Sequence, residues 1–117
     1  MLIAEIGLNH LGSKELAKDY IYKLLDTYID SITFQVREIE YYEKKPELKL
    51  TNSDYIELIK IIKSNNKKVG IAIADINQID FFESLNVNFY KIIRNDITND
   101  KLVKKLLSTN KKIIVST

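Results

Sequence analysis

No cysteine occurs among the 117 residues. That excludes a disulfide framework, a thiolate zinc site and a thiol nucleophile. No apolar run approaches the roughly 20 residues that a membrane span requires. The apolar start, Met1 to Ile6, has no basic flank and is broken by Glu5, so it does not read as a signal peptide. No sign of charge dominates: 18 basic residues face 16 acidic ones, for a net charge of +2. That balance gives no basis for nucleic-acid or membrane partners, and a cytoplasmic location is expected. Breakers are scarce. The one proline, Pro46, lies in a charged segment, and two of the three glycines, Gly7 and Gly12, share one short stretch. What remains is 45% hydrophobic and 29% charged, the composition of one soluble globular domain over residues 1–117. Sixteen of the basic residues are Lys, and Asn and Ile are abundant; we read this as base-composition bias.

Short β-branched runs alternate with helical patterns along the whole chain. Strands are expected at Leu2–Ile6, Ser31–Val36, Val69–Ala74, near Asn88 to Ile93, and at Lys112–Ser116. Between them, Ser13 caps a helix that runs to about Tyr28. Thr51 or Ser53 caps a helix carrying Tyr55, Leu58, Ile59 and Ile62. Asp75 with Gln78 resembles a capping box ahead of Phe81, Phe82 and Leu85. Thr98 caps a helix with Leu102, Val103, Leu106 and Leu107. Residues 37–50 read as a charged, tyrosine-bearing loop. The order is five strands and four helices in strict alternation, without a hairpin signal. It implies an α/β fold with a parallel sheet and right-handed crossovers. Two architectures fit, an open doubly wound sheet or the first part of a (β/α)8 TIM barrel.

In both, ligands bind beyond the carboxyl ends of the strands. Those ends carry Glu5, Asn9 and His10; Gln35 and Arg37; Asp75; Lys91, Arg94, Asn95 and Asp96; and Ser116. Capping accounts for Ser13, Asp75 and Thr98. It does not account for Glu5, Gln35 and Lys91, which sit within or at the tips of apolar strands and need a partner or a ligand there. The first strand end, AEIGLNHLGSK at residues 4–14, looks like a phosphate-binding P-loop with its last two residues exchanged. A P-loop lysine directly follows the second glycine; here Ser13 intervenes before Lys14, so that reading is set aside. The Lys-rich segments 41–49 and 101–105 read as solvated faces.

Five stretches taken together, AEIGLNHLGS (4–13), ITFQ (32–35), ESLNVNFYKI (83–92), NDITN (95–99) and IIVST (113–117), resemble the sialic acid synthase family of N-acetylneuraminate synthase-like enzymes. The resemblance covers nearly the whole chain. It implies the N-terminal part of a (β/α)8 barrel, with about five parallel strands and four helices. It implies condensation of phosphoenolpyruvate with an N-acyl amino sugar, such as N-acetylmannosamine, to a nine-carbon 2-keto acid with release of phosphate. A divalent metal, manganese or magnesium, is implied as cofactor, with its histidine ligands on strands beyond this chain. By position, Glu5 and Asp96 take the catalytic carboxylate places. Gln35, Lys91 and Ser116 take substrate-binding places, and Asn9 and His10 shape the first loop.

The departures are specific. The family's strand-two lysine is Thr33 here, a binding threonine is Ala72, and a serine is Arg94. Arg94 is therefore expected to take over anion binding from the missing lysine. A truncated, inactive half-barrel serving as a binding or structural module is the alternative function, and a flavodoxin-like domain is the third. Open strand edges lead us to expect a homo-oligomer, or pairing with a complementary part of the barrel.

Overall fold

A computed structural model describes residues 1–116, apart from the side chain of Arg94. Five parallel strands form one sheet: β1 (Ile3–Gly7), β2 (Ser31–Val36), β3 (Lys68–Ile73), β4 (Phe89–Ile92) and β5 (Lys112–Val115). Their spatial order is β1-β2-β3-β4-β5 and every pairing is parallel. A doubly wound sheet reverses its strand order at a switch point. This one never does. Sequential order puts every crossover helix on the same side of the sheet, which is the winding of a barrel.

Burial separates the two faces. The outward side chains Ile32, Phe34, Val36, Val69, Ile71, Ile73, Tyr90 and Ile92 form one cluster with Ala17, Ile21, Leu58, Ile59, Ile62, Phe82, Leu102 and Leu106 of the helices. Residues of the opposite parity (Thr33, Gln35, Gly70, Ala72, Phe89 and Lys91) take no part in it. They run in register across the sheet, Thr33 beside Gly70 beside Phe89, then Gln35 beside Ala72 beside Lys91. Side chains in register on parallel strands share a face, so these are the layers of a barrel interior. Glu5 on β1 and Lys91 on β4 come within 3.6 Å although two strands lie between them. A flat sheet would hold those strands about 14 Å apart, with side chains standing off roughly perpendicular. Their meeting requires the sheet to curl.

The described residues form five α-helices, one more than the sequence pattern implies: α1 (Lys14–Leu25), α2 (Ile39–Lys44), α3 (Asn52–Ser64), α4 (Ile79–Ser84) and α5 (Asp100–Leu107). The extra one is α2. Together with a 3-10 turn at Pro46–Leu48 it replaces the expected loop over residues 37–50. Six residues are too few to show a helical period. What holds α2 is the Tyr42 hydroxyl, which accepts from the Arg37 backbone N–H at 3.1 Å. Two caps differ in detail. Thr51 forms a full capping box with Asp54, whereas α5 is capped by Asn99, accepting from the Leu102 N–H, and not by Thr98. Helix α1 stops at Leu25, which leaves Tyr28 97% exposed.

With glycine so scarce, asparagine ends the helices. Asn66, Asn86 and Asn110 follow α3, α4 and α5 with φ of 62°, 53° and 60°. After glycine, Asn tolerates the left-handed region best. After α3, the Asn66 N–H donates to the Lys63 carbonyl and the Lys67 N–H to the Ile62 carbonyl, closing the last turn. Part of the asparagine abundance therefore has a structural use.

The floor of the interior is one aromatic ring. A Cβ placed on Gly70 would lie 2.2 Å from the Phe89 ring, and Phe89 is buried. Gly70→Ala is expected to lower stability by about 1–3 kcal/mol through overpacking. In urea denaturation, Phe89→Leu on that background should recover part of the loss, and a neutral Gly70→Ala would contradict this packing.

Candidate functional site

The polar groups collect at the carboxyl ends of the strands. Glu5 and Lys91 form the ion pair described above, with side chains 46% and 26% exposed. A partly exposed pair of this kind contributes at most about 1 kcal/mol. It is a weak link. Gln35 lies in the same layer as Lys91. Its Oε1 and the Glu5 Cγ flank Gly7, at 4.0 and 3.8 Å from where a Cβ would stand. Ser116 continues the β5 pairing through its N–H, which donates to the Ile92 carbonyl at 2.9 Å. The structure thus brings Glu5, Gln35 and Lys91 together and sets Ser116 on the adjoining rim.

The β1–α1 turn builds the wall behind them. The Asn9 N–H donates to the Ile6 carbonyl at 3.0 Å, and the Asn9 side chain is exposed. His10 is fully buried. Its Nδ1 accepts from the Gly12 N–H at 2.9 Å, which places the ring proton on Nε2, an atom with no partner among the described residues. Gly12 has φ of 77°, and a Cβ there would fall 1.8 Å from the Glu47 carbonyl oxygen. Only glycine lets the turn seat against the 3-10 turn at residues 46–48. The Ser13 hydroxyl then caps α1, accepting from the Leu16 N–H at 3.1 Å. Gly7 to Ser13 is a scaffold with His10 at its centre. Asp75 caps the 3-10 turn before α4, accepting from the Asn77 N–H at 2.9 Å.

Asp96 lies in a second cluster. A cleft of about 290 Å³ is lined by Arg37, Glu38, Ala74, Ile93, Asn95, Asp96 and Asn99. Burial, and secondarily the nearby Glu38 carboxylate, push the Asp96 pKa up, against the pull of Arg37. Burial also opposes the charge on Glu38. Its backbone hydrogen bond and Arg37 outweigh that and hold its pKa below the usual range. The Arg37 guanidinium lies 3.2 Å from Glu38 and 4.1 Å above the Tyr41 ring centre. Sequence reasoning noted Arg37 at a strand end but left it and Glu38 out of the site. The available signal was parity, since Arg37 follows Thr33 and Gln35 at steps of two. The side chain of Arg94, expected as the replacement cation, lies outside the described residues; its backbone is in a 3-10 turn, Arg94–Asp96. Thr33, which the resemblance sets against a lysine, is buried with its hydroxyl unpaired among the described residues.

Among the described residues, no three His, Asp, Glu or Cys side chains gather as metal ligands. The one imidazole is enclosed in its turn. The described residues do not fit the divalent metal that the resemblance implies. No helix of the described residues is long and apolar enough to cross a membrane.

Comparison with known proteins gives a consistent picture. The model of the NeuB family matches residues 17–117. An N,N'-diacetyllegionaminic acid synthase of Campylobacter jejuni is 32% identical over 100% of this chain and 42% of its own length. An N-acetylneuraminate-9-phosphate synthase of Drosophila melanogaster is 28% identical over 99% of this chain and 37% of its own. The crystal structure of the N-acetylneuraminic acid synthetase from Leptospira borgpetersenii serovar Hardjo-bovis superimposes with a TM-score of 0.86. It covers 97% of this chain and 43% of that one, at 24% identity, and shows the shared fold. The chain spans about two-fifths of the length of these relatives.

Burial lowers the His10 pKa from its ordinary value of 6.5, more than Asp54 raises it. A group with a depressed folded-state pKa stabilises the fold above its unfolded pKa. That contribution is lost as pH falls from about 6.5 through the folded value. The stability difference between wild type and His10→Gln should therefore shrink below pH 6.5 in denaturant melts. A difference that does not change with pH would contradict the buried, neutral ring.

Proposed function

The chain belongs to the NeuB family, and on that premise we propose that it forms the phosphoenolpyruvate-binding part of a sugar-acid synthase. The reaction is condensation of phosphoenolpyruvate with an N-acyl amino sugar of the N-acetylmannosamine type to a nine-carbon 2-keto acid. The observation that carries the reading is the Glu5–Lys91 pair, a carboxylate and an ammonium held across a curled sheet at 3.6 Å. The names of the relatives, synthases of legionaminic and N-acetylneuraminic acid products, agree with it.

In this reading Lys91 releases Glu5 and takes an anionic group of phosphoenolpyruvate, with Gln35 and Ser116 supplying hydrogen bonds. A carbon–carbon bond forms from the enol carbon to the sugar aldehyde. Water adds at the phosphate-bearing carbon, and the carbon–oxygen bond to phosphate breaks. Glu5, freed from Lys91, exchanges protons as water adds, and Asp96 is the second carboxyl group for proton transfer.

A second reading rests on the sheet edges. Among the described residues β1 and β5 each pair on one side only, and Met1, Leu2 and Val115 are 61%, 56% and 49% exposed. Unpaired edges recruit other strands. The chain then acts as a half-barrel module that pairs with a second copy or with a complementary barrel part.

Lys91→Ala is expected to weaken phosphoenolpyruvate binding about tenfold or more in calorimetry, since a charge-assisted contact is lost. Glu5→Gln removes the competitor for Lys91. It should bind phosphoenolpyruvate at least as tightly while phosphate release with N-acetylmannosamine falls about a hundredfold. Wild-type affinity in Lys91→Ala would sink the reading. Light scattering at micromolar concentration should give a mass above the 13.6 kDa of one chain; a monomer would count against the module.

A further inference from the structure

A cavity of about 90 Å³ lies between α2, the start of α3 and the 3-10 turn that leads into α4. Its apolar walls are Val36, Leu50, Tyr55 and Phe82. All four belong to the cluster between the sheet and the helices. The cavity is therefore on the opposite side of the sheet from Gln35 and Lys91, outside the site described above. Lys49, Asn52 and Gln78 border both this cavity and a surface cleft of about 520 Å³, and so form the mouth between the two.

Inside, the polar groups are buried and have bonding capacity to spare. Tyr55 is 4% exposed and packs edge-on against Phe82, with ring centres 5.2 Å apart. Burial, then the charges of Tyr42 and Asp54, push its pKa up, and no described residue hydrogen-bonds its hydroxyl. The Tyr42 hydroxyl accepts the Arg37 N–H and still has its own proton to give. Asp75 is buried, and its Oδ1 takes the Asn77 N–H. At the mouth the groups are cationic. The Lys49 ammonium stands 5.9 Å from the Tyr42 ring centre, and no carboxylate of the described residues pairs with it. Helix α3 begins beside it. The Thr51 hydroxyl takes only the Asp54 N–H, which leaves the Asn52 and Ser53 N–H groups of the first turn for an outside acceptor. Arg37, also in the lining, is matched by Glu38 at 3.2 Å. Arg94, whose side chain is outside this count, can add only positive charge, which favours an anion further.

We propose that this outer pocket binds a short-chain hydroxy carboxylate, its carboxylate at Lys49 and the α3 N-terminus and its hydroxyl inside the cavity. The hydroxyl accepts from the Tyr55 or Tyr42 phenol and donates to Asp75, which a plain hydrocarbon end would leave unmatched. Val36, Leu50 and Phe82 enclose the methylene chain. Size sets the length. The cavity equals about three water volumes of ~30 Å³ and falls short of the ~150 Å³ that admits benzene, so it takes a chain of about four heavy atoms and not a ring. The proposal is independent of the synthase reading, because none of the interior residues takes part in it.

The test is nitrogen–proton correlation NMR on the labelled 117-residue chain, with 4-hydroxybutyrate as the probe. It should shift the Asn52 and Ser53 backbone amides and the Gln78 side-chain amide. Butyrate, which lacks the hydroxyl, should bind about fivefold more weakly, and butanol, which lacks the carboxylate, about tenfold more weakly. Tyr55→Phe keeps the ring and removes the hydroxyl. It should cost 4-hydroxybutyrate about fivefold and leave butyrate unchanged, and the butyrate response also reports that the variant is folded. Lys49→Met should weaken both acids and leave butanol as it was. The proposal is overturned if 4-hydroxybutyrate at tens of millimolar leaves Asn52, Ser53 and Gln78 unmoved, the result for a cavity that holds water only. It is overturned equally if butyrate binds as tightly, if folded Tyr55→Phe binds the hydroxy acid as wild type does, or if 4-aminobutyrate binds more tightly, which would mark an ammonium site at Asp75.

Discussion

Each strand of the sheet pairs with its neighbours in the chain, in parallel and without a reversal of order, and everything else in the molecule follows from this. All crossover helices then fall on one side, where Ile, Leu and Phe side chains of both layers bury one another. The other side is left as a concave interior. Its layers hold what the helices cannot cover: a small floor of Gly70 and Phe89, then Gln35 and Lys91, then the rim with Arg37. The curl is what lets Glu5 meet Lys91 across two intervening strands.

The site is built from interactions of very different strength. The scaffold contacts are stiff. Gly12 seats against the Glu47 carbonyl with no room for a Cβ, His10 is locked by its bond from the Gly12 N–H, and Arg37 is stacked on Tyr41. The Glu5–Lys91 pair is half in solvent and weak. Rigid walls therefore surround an ion pair that little holds closed. Above the layer that holds Lys91, the described residues of the rim include Arg37, Glu38 and Asp96.

Much of this was legible from the residues. Strand positions followed from β-branched runs, and the period of two already placed Thr33, Gln35 and Arg37 on one face. Glu5, Gln35 and Lys91 stood out because charged and amide groups do not belong in apolar strands without a partner. Other features left no readable trace. Helix α2 is shorter than two helical turns, and it depends on Tyr42 reaching back to Arg37, a contact that periodicity does not register. Asn99 rather than Thr98 caps α5, and adjacent residues that both cap well leave the first helical residue undecided in the sequence. That Glu38 lines a cleft with Asp96 appears only once the turns after β2 and β4 are brought face to face.

The chain by itself determined its α/β class, the polarity of each strand end and the helix stops made by asparagine in place of glycine. These depend on local preferences and on the alternation of apolar residues, which are properties of neighbouring positions. Tertiary structure decided between a doubly wound sheet and a barrel, because strand order is a matter of which edges meet in space and both orders satisfy the same alternation. It also decided that His10 is a wall residue and that Lys91 pairs with Glu5. Burial and ion pairing are set by residues dozens of positions away, and only the curl of the sheet brings those within reach.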